Sequence, residues 1–211
     1  MFLIYINDIV KEINSCIRLF ADDTTLYIIV DNPIASADLM NTDLDRIHSW
    51  SKFWLVKFNP DKTEELIISR KTASRNHPHL YMDDTQIKNV QSHKHLGITL
   101  NTTCTWFDHI TDMTAKTWKR INVFRSLMYK LDRKTLEIIY FSFIRPTLEY
   151  ADVIWDNCDV NERYRIEQIQ IEAALIVTGA TRSVSRTKLM NDTGWISLER
   201  RRYNHRIITF F

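Results

Sequence analysis

Glycine is scarce in this chain, with three residues in 211, and proline contributes only four. Few tight turns are therefore available, and long helices are expected. Cysteine is equally thin: Cys16, Cys104 and Cys158 are far apart, odd in number and without any C-x-x-C spacing. That excludes a zinc ribbon and a disulfide framework, and it makes a reducing, intracellular compartment the expectation, nucleus and cytoplasm not being distinguishable. No run of eighteen apolar residues exists, so no membrane span and no membrane partner are expected. "MFLIYINDIV" has no basic start, is broken by Asn7 and Asp8, and ends in no cleavage site, so it is a poor signal peptide.

What is present is an ordinary globular balance, 45% hydrophobic and 26% charged, over a length that allows one large domain or two small ones. The net charge of +2 is unevenly spread. Residues 1–100 sum to −2 and residues 101–211 to +4. An acidic front half and a basic back half suit a metal or catalytic region beside a polyanion-binding one.

Hydropathy patterning gives the organisation. Phe2, Ile6, Ile9 and Ile13 form one helical stripe over 2–13 with no preceding cap, which reads as an element cut part-way along. "CIRLF" and "TTLYIIV" are β-rich runs flanking "ADD", a hairpin with its aspartates at the tip. From Pro33, Met40, Leu44, Ile47, Trp50 and Trp54 recur every three or four residues, an amphipathic helix with proline in its first turn. A turn at Asn59-Pro60-Asp61 leads to a strand around 64–69, then a polar, basic loop over 70–78. "HLYM", "TQIKNV" and "HKHLGITL" are short extended runs. Helices are expected near 106–130, 133–150, 160–178, 185–192 and 197–210. Most of the six tryptophans fall on helical apolar stripes and are read as core.

Two adjacent-aspartate pairs compete for a metal. Neighbouring carboxylates repel, and a dication removes that cost. Asp22-Asp23 lies between apolar runs able to bury a hairpin, which would fix the backbone and aim both acids outward. Taken alone, an ordinary Asp-rich turn is the favoured reading, because Asp pairs in turns are common. Asp83-Asp84 sits in "YMDD", but no long apolar strand leads away from it. A surface turn between two short strands is the better reading there.

The order of motifs carries more than any one of them. "FLIYINDI", "LFADDTTLY", "NPDKTE" and "KHLGITL" follow one another as they do in the palm of reverse transcriptases of non-LTR retrotransposons, the jockey-like group in particular. "IRPTLEYADVIW", "IEQIQIEAALIVTG" and "GWISLERRRYNHRI" resemble the thumb and post-thumb region of the same elements. The resemblance implies an RNA-directed DNA polymerase that uses Mg2+ or Mn2+, an RNA template, a DNA primer and deoxynucleotide triphosphates. In two-metal nucleotidyl transfer one ion activates the 3′ hydroxyl and the other holds the leaving pyrophosphate. It implies Asp22 as the shared metal ligand, supported by Asp23, with Phe20 and Ala21 seating the primer end. It implies a catalytic Lys62 near the triphosphate, Leu96-Gly97 as the turn of the primer grip, and "YMDDTQI" as a variable hairpin outside the active site. A solvated Lys62 and a simple strand glycine at 97 stay open beside these roles.

The basic half would then bind the nucleic-acid backbone. Lys116, Lys119, Arg120, Arg125 and Lys130 are spaced to stripe one helix, and "ERRRYNHR" supplies Arg200, Arg201, Arg202 and Arg206. A solvated helix face is the alternative for each.

The expected fold is α+β: a partial palm over 1–103, with a small antiparallel sheet backed by helices, then a mostly helical thumb-like region over 104–211. By the resemblance, the third palm carboxylate and the fingers belong to a segment preceding residue 1. The expectation is an N-terminally truncated chain that binds divalent metal weakly and extends primers poorly or not at all. A missing N-terminal portion of the same element is then a natural partner. Two competing readings are a non-catalytic remnant that binds nucleic acid or a partner, and a zinc protein built on His77, His79, His93 and His95.

Overall fold

The structure is a computed structural model that describes residues 6–69 and 77–210. Residues 2–5 of the expected first helix and 70–76 of the expected polar loop lie outside them. Within 6–13, Ile6 is helical and Asn7–Val10 form a short 3-10 turn. Two compact units emerge: Met1–His93 with Thr102–Cys104, and Lys94–Asn101 with Thr105–Phe211. The division differs from a cut at 103, because residues 94–101 go with the helical part.

In the first unit, strands β1 (Cys16–Phe20) and β2 (Asp23–Tyr27) pair antiparallel with Phe20 opposite Asp23. A two-stranded hairpin is marginal by itself in water. Here Ile17, Leu19 and Leu26 pack with buried Ile6, Ile9 and Ile47. Ile47 belongs to helix α1 (Pro33–Trp54), which starts as its sequence suggests. The Asn32 side chain accepts the amides of Ile34 and Ala35, and Pro33 takes the first helical position. This helix face is what stabilises the hairpin, each half-buried strand residue contributing less than the roughly 1.5–3 kcal/mol of a fully buried apolar side chain.

Strand β3 (Glu64–Leu66) is shorter than the expected 64–69. It pairs parallel with β6 (Lys88–Val90), while β4 (Tyr81–Met82) and β5 (Thr85–Gln86) form a small antiparallel hairpin. Strands β7 (Ser92–His95) and β8 (Ile98–Asn101) pair across Leu96-Gly97. Among the described residues the strands thus form separate two-stranded pairs, one of them parallel, where a single small antiparallel sheet was expected.

The second unit is helical beyond the hairpin: α2 (Phe107–Arg125), α3 (Arg133–Ile139), α4 (Arg145–Glu149), α5 (Asp152–Trp155), α6 (Val160–Thr178), α7 (Arg186–Thr193) and α8 (Leu198–Phe210). The α+β class holds. The expected helix over 133–150 is interrupted by a π-helical turn at Tyr140–Ile144. Pro146 is the physical reason: it has no N–H to return to the carbonyl four residues back, so the ladder widens just before it. Helix α6 opens with a capping box between Asp159 and Glu162 and buries Ile166, Ile169 and Ala173. These join Ile110, Ile121, Phe124, Tyr140, Leu148 and Trp155 in one core, to which β8 contributes Ile98. Trp155 is fully buried, and Trp106, Trp118 and Trp195 are half-buried against the same core. Among the described residues no helix is long and apolar enough to cross a membrane.

Candidate functional site

The β1–β2 hairpin turns on two residues, Ala21 and Asp22, and Asp23 opens the second strand. Ala21 is held at φ +53°, a left-handed conformation that an L-residue adopts at a penalty of roughly 1–2 kcal/mol. Ala21, Asp22 and Asp23 are all exposed. Two hard carboxylates therefore stand together at a strained tip whose strands pack half-buried against α1. Oxygen donors of this kind suit Mg2+ or Mn2+. Among the described residues, however, no group of three or more His, Cys, Asp or Glu side chains is gathered as a metal site.

The hairpin is aimed by a residue that sequence reading passed over. Asp43, fully buried on α1, accepts the amide of Ser15 at 2.6 Å and that of Asn14 at 3.0 and 3.1 Å. Those two amides immediately precede β1. Arg46 donates to the same carboxylate at 3.2 Å and also to the carbonyl of Glu12, whose φ is +66°. Burial pushes the Asp43 carboxyl up, but the amides of Ser15 and Asn14 and the Arg46 charge outweigh it, leaving it below its ordinary value. The signal was in the sequence: Asp43 is an acid on the stripe that carries Met40, Leu44 and Ile47.

Lys62 is exposed on a 3-10 turn, Pro60–Lys62, capped by the Asn59 side chain. Among the described residues no hydrogen bond or ion pair joins it to Asp22 or Asp23. The second acidic pair is a turn, as its flanks suggested. Asp83 and Asp84 have φ +50° and +59° and link β4 to β5, with Met82 opposite Thr85. Two consecutive left-handed residues make a I′ turn, where Asp is tolerated. Asp83 Oδ1 lies 2.8 Å from His48 Nε2 and 3.8 Å from Lys52 Nζ, both on α1. Among the described residues the histidines do not gather as a metal site either. His79 Nδ1 is 2.9 Å from Gln86 Nε2, and His93 Nδ1 is 2.7 Å from the Glu64 carboxylate.

In the second unit, Leu96 and Gly97 have φ +45° and +84°, so they do form a tight two-residue turn. The Tyr150 hydroxyl donates to the Leu96 carbonyl at 2.8 Å. A Cβ at position 97 would come within 3.1 Å of the Tyr150 ring, so glycine here gives the ring its place. An open cleft of about 380 Å³ lies behind the turn, bounded by Lys94, His109, Lys116, Arg120, Phe143 and Tyr150. Burial holds the His109 pKa down, and the Thr99 amide donates to its Nδ1 at 3.4 Å, both favouring the neutral ring.

The basic residues divide. Lys116 and Lys119 are exposed on α2. Arg120 stacks on Phe143 at 4.5 Å and donates to the Phe143 carbonyl at 2.8 Å and to the Thr147 hydroxyl. Arg125 pairs with Glu172, and Lys130 falls beyond the end of α2. On α8, Arg200 is exposed, whereas Arg201 is bound by both oxygens of Glu149. Arg202 departs furthest from a surface phosphate contact. It is 1% exposed, lies over Trp155 and has its Nε 3.4 Å from Asp156. His205 pairs with Asp152 at 2.7 Å and Arg206 with Asp156 at 2.8 Å. The cause is a ladder: the acids at 149, 152 and 156 match the bases at 201, 202, 205 and 206, so much of this basic run closes on its own chain.

Against known proteins, the chain is 25% identical over 189 residues to the "Probable RNA-directed DNA polymerase from transposon BS" of Drosophila melanogaster, covering 88% of this chain and 21% of the relative. It is 26% identical over 182 residues to the "Probable RNA-directed DNA polymerase from transposon X-element" of the same fly, covering 84% and 20%. The "RNA-directed DNA polymerase from mobile element jockey", also from Drosophila melanogaster, is 26% identical over 176 residues, covering 81% and 19%. The chain is similar to RNA-directed DNA polymerases of Drosophila mobile elements. The resemblance read from the motifs thus extends over most of the chain. The chain spans about one fifth of the length of these relatives. No family model matches it. No solved structure matches it.

Proposed function

We propose that this chain is the palm-and-thumb portion of a mobile-element reverse transcriptase, with Asp22 and Asp23 its contribution to the divalent-metal site. The observation that supports this best is the acidic hairpin tip. Two exposed carboxylates sit on a two-residue turn whose strands are anchored to α1, in the motif order shared with the jockey-like polymerases. Asp22 and Asp23 would hold Mg2+ or Mn2+. When bound, the ions would activate a primer 3′ hydroxyl and neutralise the leaving pyrophosphate. The chain's own part is to fix the tip: Asp43 holds the root of β1, and Ile17, Leu19 and Leu26 hold its face. Exposed Lys62 would serve the triphosphate, and Lys116 and Lys119 would meet template–primer phosphates.

A second reading is that of a non-catalytic nucleic-acid-binding remnant. It is favoured by one observation, that no third carboxylate joins Asp22 and Asp23 among the described residues. The two readings share the duplex and part at the metal. Titration of the 211-residue chain with Mn2+ tests this by paramagnetic broadening of backbone amide resonances. The polymerase reading expects broadening centred on Ala21–Thr24, lost in Asp22→Ala. No broadening there, with salt-dependent binding of an RNA–DNA duplex intact, selects the remnant. Nucleotide incorporation by this chain alone is expected to be weak or absent under either reading.

A further inference from the structure

We propose that Tyr150 is a positioning residue for nucleic-acid binding, setting the Leu96-Gly97 turn so that its backbone faces a strand. This inference rests on the polymerase reading above, in which that turn meets the primer. Three observations converge on one side chain. Its hydroxyl donates to the Leu96 carbonyl at 2.8 Å. Its ring fills the space that a Cβ at Gly97 would need, with Cε1 3.1 Å from that point. It also lines the cleft that holds Lys94, Lys116 and Arg120 beside one acid, Asp112.

The physical argument starts from the turn. Two consecutive residues at positive φ leave the backbone few alternatives, but Leu96 pays for its left-handed conformation, and an exposed I′ turn with a leucine can relax. Tyr150 opposes that relaxation from one side. It occupies one lone pair of the Leu96 carbonyl and packs on the glycine, so this carbonyl is held inward. Tyr150 itself is fixed from behind, because the Trp155 indole N–H donates to its carbonyl at 3.0 Å and Trp155 is fully buried. The chain reverses directly after it, at Ala151, with φ +50°. The turn is therefore tied to the helical core through a phenol. The sequence "LEYADVIW" supplies this tether 54 positions beyond the turn.

The amides of such a turn are neutral donors. A phosphate bound by them releases no extra counterion, in contrast to one neutralised by lysine. That difference separates positioning from charge. The test uses the full 211-residue chain and a fluorescein-labelled RNA–DNA template–primer duplex, with affinity measured by anisotropy from 50 to 200 mM salt. Tyr150→Phe keeps the ring and loses the hydroxyl. It is expected to weaken binding about threefold to tenfold at every salt concentration, with the salt slope and the melting temperature unchanged. Lys116→Ala is expected to reduce the slope by about 0.9, the value of one phosphate. Amide exchange at Gly97 and Ile98, read in the same variants, should quicken in Tyr150→Phe only.

Unchanged affinity and unchanged exchange in Tyr150→Phe overturn the proposal while leaving the polymerase reading in place. A lowered melting temperature with wild-type affinity also overturns it, since the phenol is then structural only. A wild-type chain that shows no salt-dependent duplex binding removes the underlying reading and this inference with it.

Discussion

The Asp43 carboxylate accepts the amide of Ser15 at 2.6 Å, across 28 positions of sequence, and thereby fixes where β1 begins. An acid buried in the apolar face of α1 is unfavourable unless its oxygens are met. They are met by Asn14, Ser15 and Arg46. Asp43→Ala leaves two amides without their acceptor, at about 1–3 kcal/mol each. Amide exchange over Ile17–Leu26 should accordingly lose about 2–6 kcal/mol of protection. A loss below about 1 kcal/mol would mean that the hairpin holds its place without Asp43.

Two buried aspartates make stability respond to pH in opposite directions. Asp43 sits below its ordinary 3.8 in the folded chain, because its amide bonds outweigh the burial that pushes it up. Its contribution is complete above pH 3.8 and fades as pH falls through the lowered folded value. Asp152 sits above 3.8, because burial pushes it up more than the His205 bond pulls it down. Its contribution is complete below pH 3.8 and is lost as pH rises through the raised folded value. Exchange protection in β1 and β2 should therefore drop on strong acidification, while that in α5 and α8 should improve as pH approaches 3.8 from above. Asp43→Asn should flatten the first slope and Asp152→Asn the second. Matching slopes of one sign in both regions would contradict these assignments.

Arg202 and Lys116 should behave as different kinds of basic residue. Arg202→Ala removes a buried guanidinium from Asp156 and Trp155 and should destabilise the second unit by about 3 kcal/mol, the low end for a broken buried pair, since Arg206 still holds Asp156. It should leave the salt slope of duplex binding alone. Lys116→Ala, on an exposed helix face, should change stability by less than about 0.5 kcal/mol. Denaturant titration beside the salt series reads both. A shallower slope at unchanged stability in Arg202→Ala would return Arg202 to the phosphate-binding face.

How far these features could be read in advance depended on their range. Helix α6 lies where a helix over 160–178 was expected, and α1 was legible because its apolar stripe and Pro33 are local. The two aspartate pairs were read differently from their flanks, yet both proved to be hairpin tips, and Met82 and Ile87 beside the second pair are buried whereas β1 and β2 are at most half-buried. Pairing of Glu64 with Lys88 has no local signature, so one sheet was expected where separate strand pairs occur. The run Arg200-Arg201-Arg202 looked like a phosphate-binding patch because its partners, Glu149, Asp152 and Asp156, are some fifty residues away. Their spacing along "EYADVIWD" was visible, but the contact between α5 and α8 was not. Pro146 was in plain sight within the expected 133–150 helix, and its missing N–H is what breaks the ladder.

Ala21 offers a test of the acidic tip that needs no metal. At φ +53° its Cβ is strained by roughly 1–2 kcal/mol. Glycine would remove that strain, but would lose about 0.5–1 kcal/mol more conformational entropy on folding. Ala21→Gly should then leave hairpin stability unchanged or raise it by up to about 1.5 kcal/mol. A β-branched side chain is worse suited to this region than alanine, so Ala21→Val should lower hairpin stability by about 1–2 kcal/mol. Both are read from amide exchange at Leu19 and Leu26. Equal stability of the valine and glycine variants would show that the tip does not hold a left-handed residue at 21. The two-residue turn that presents Asp22 and Asp23 would then have to be redrawn.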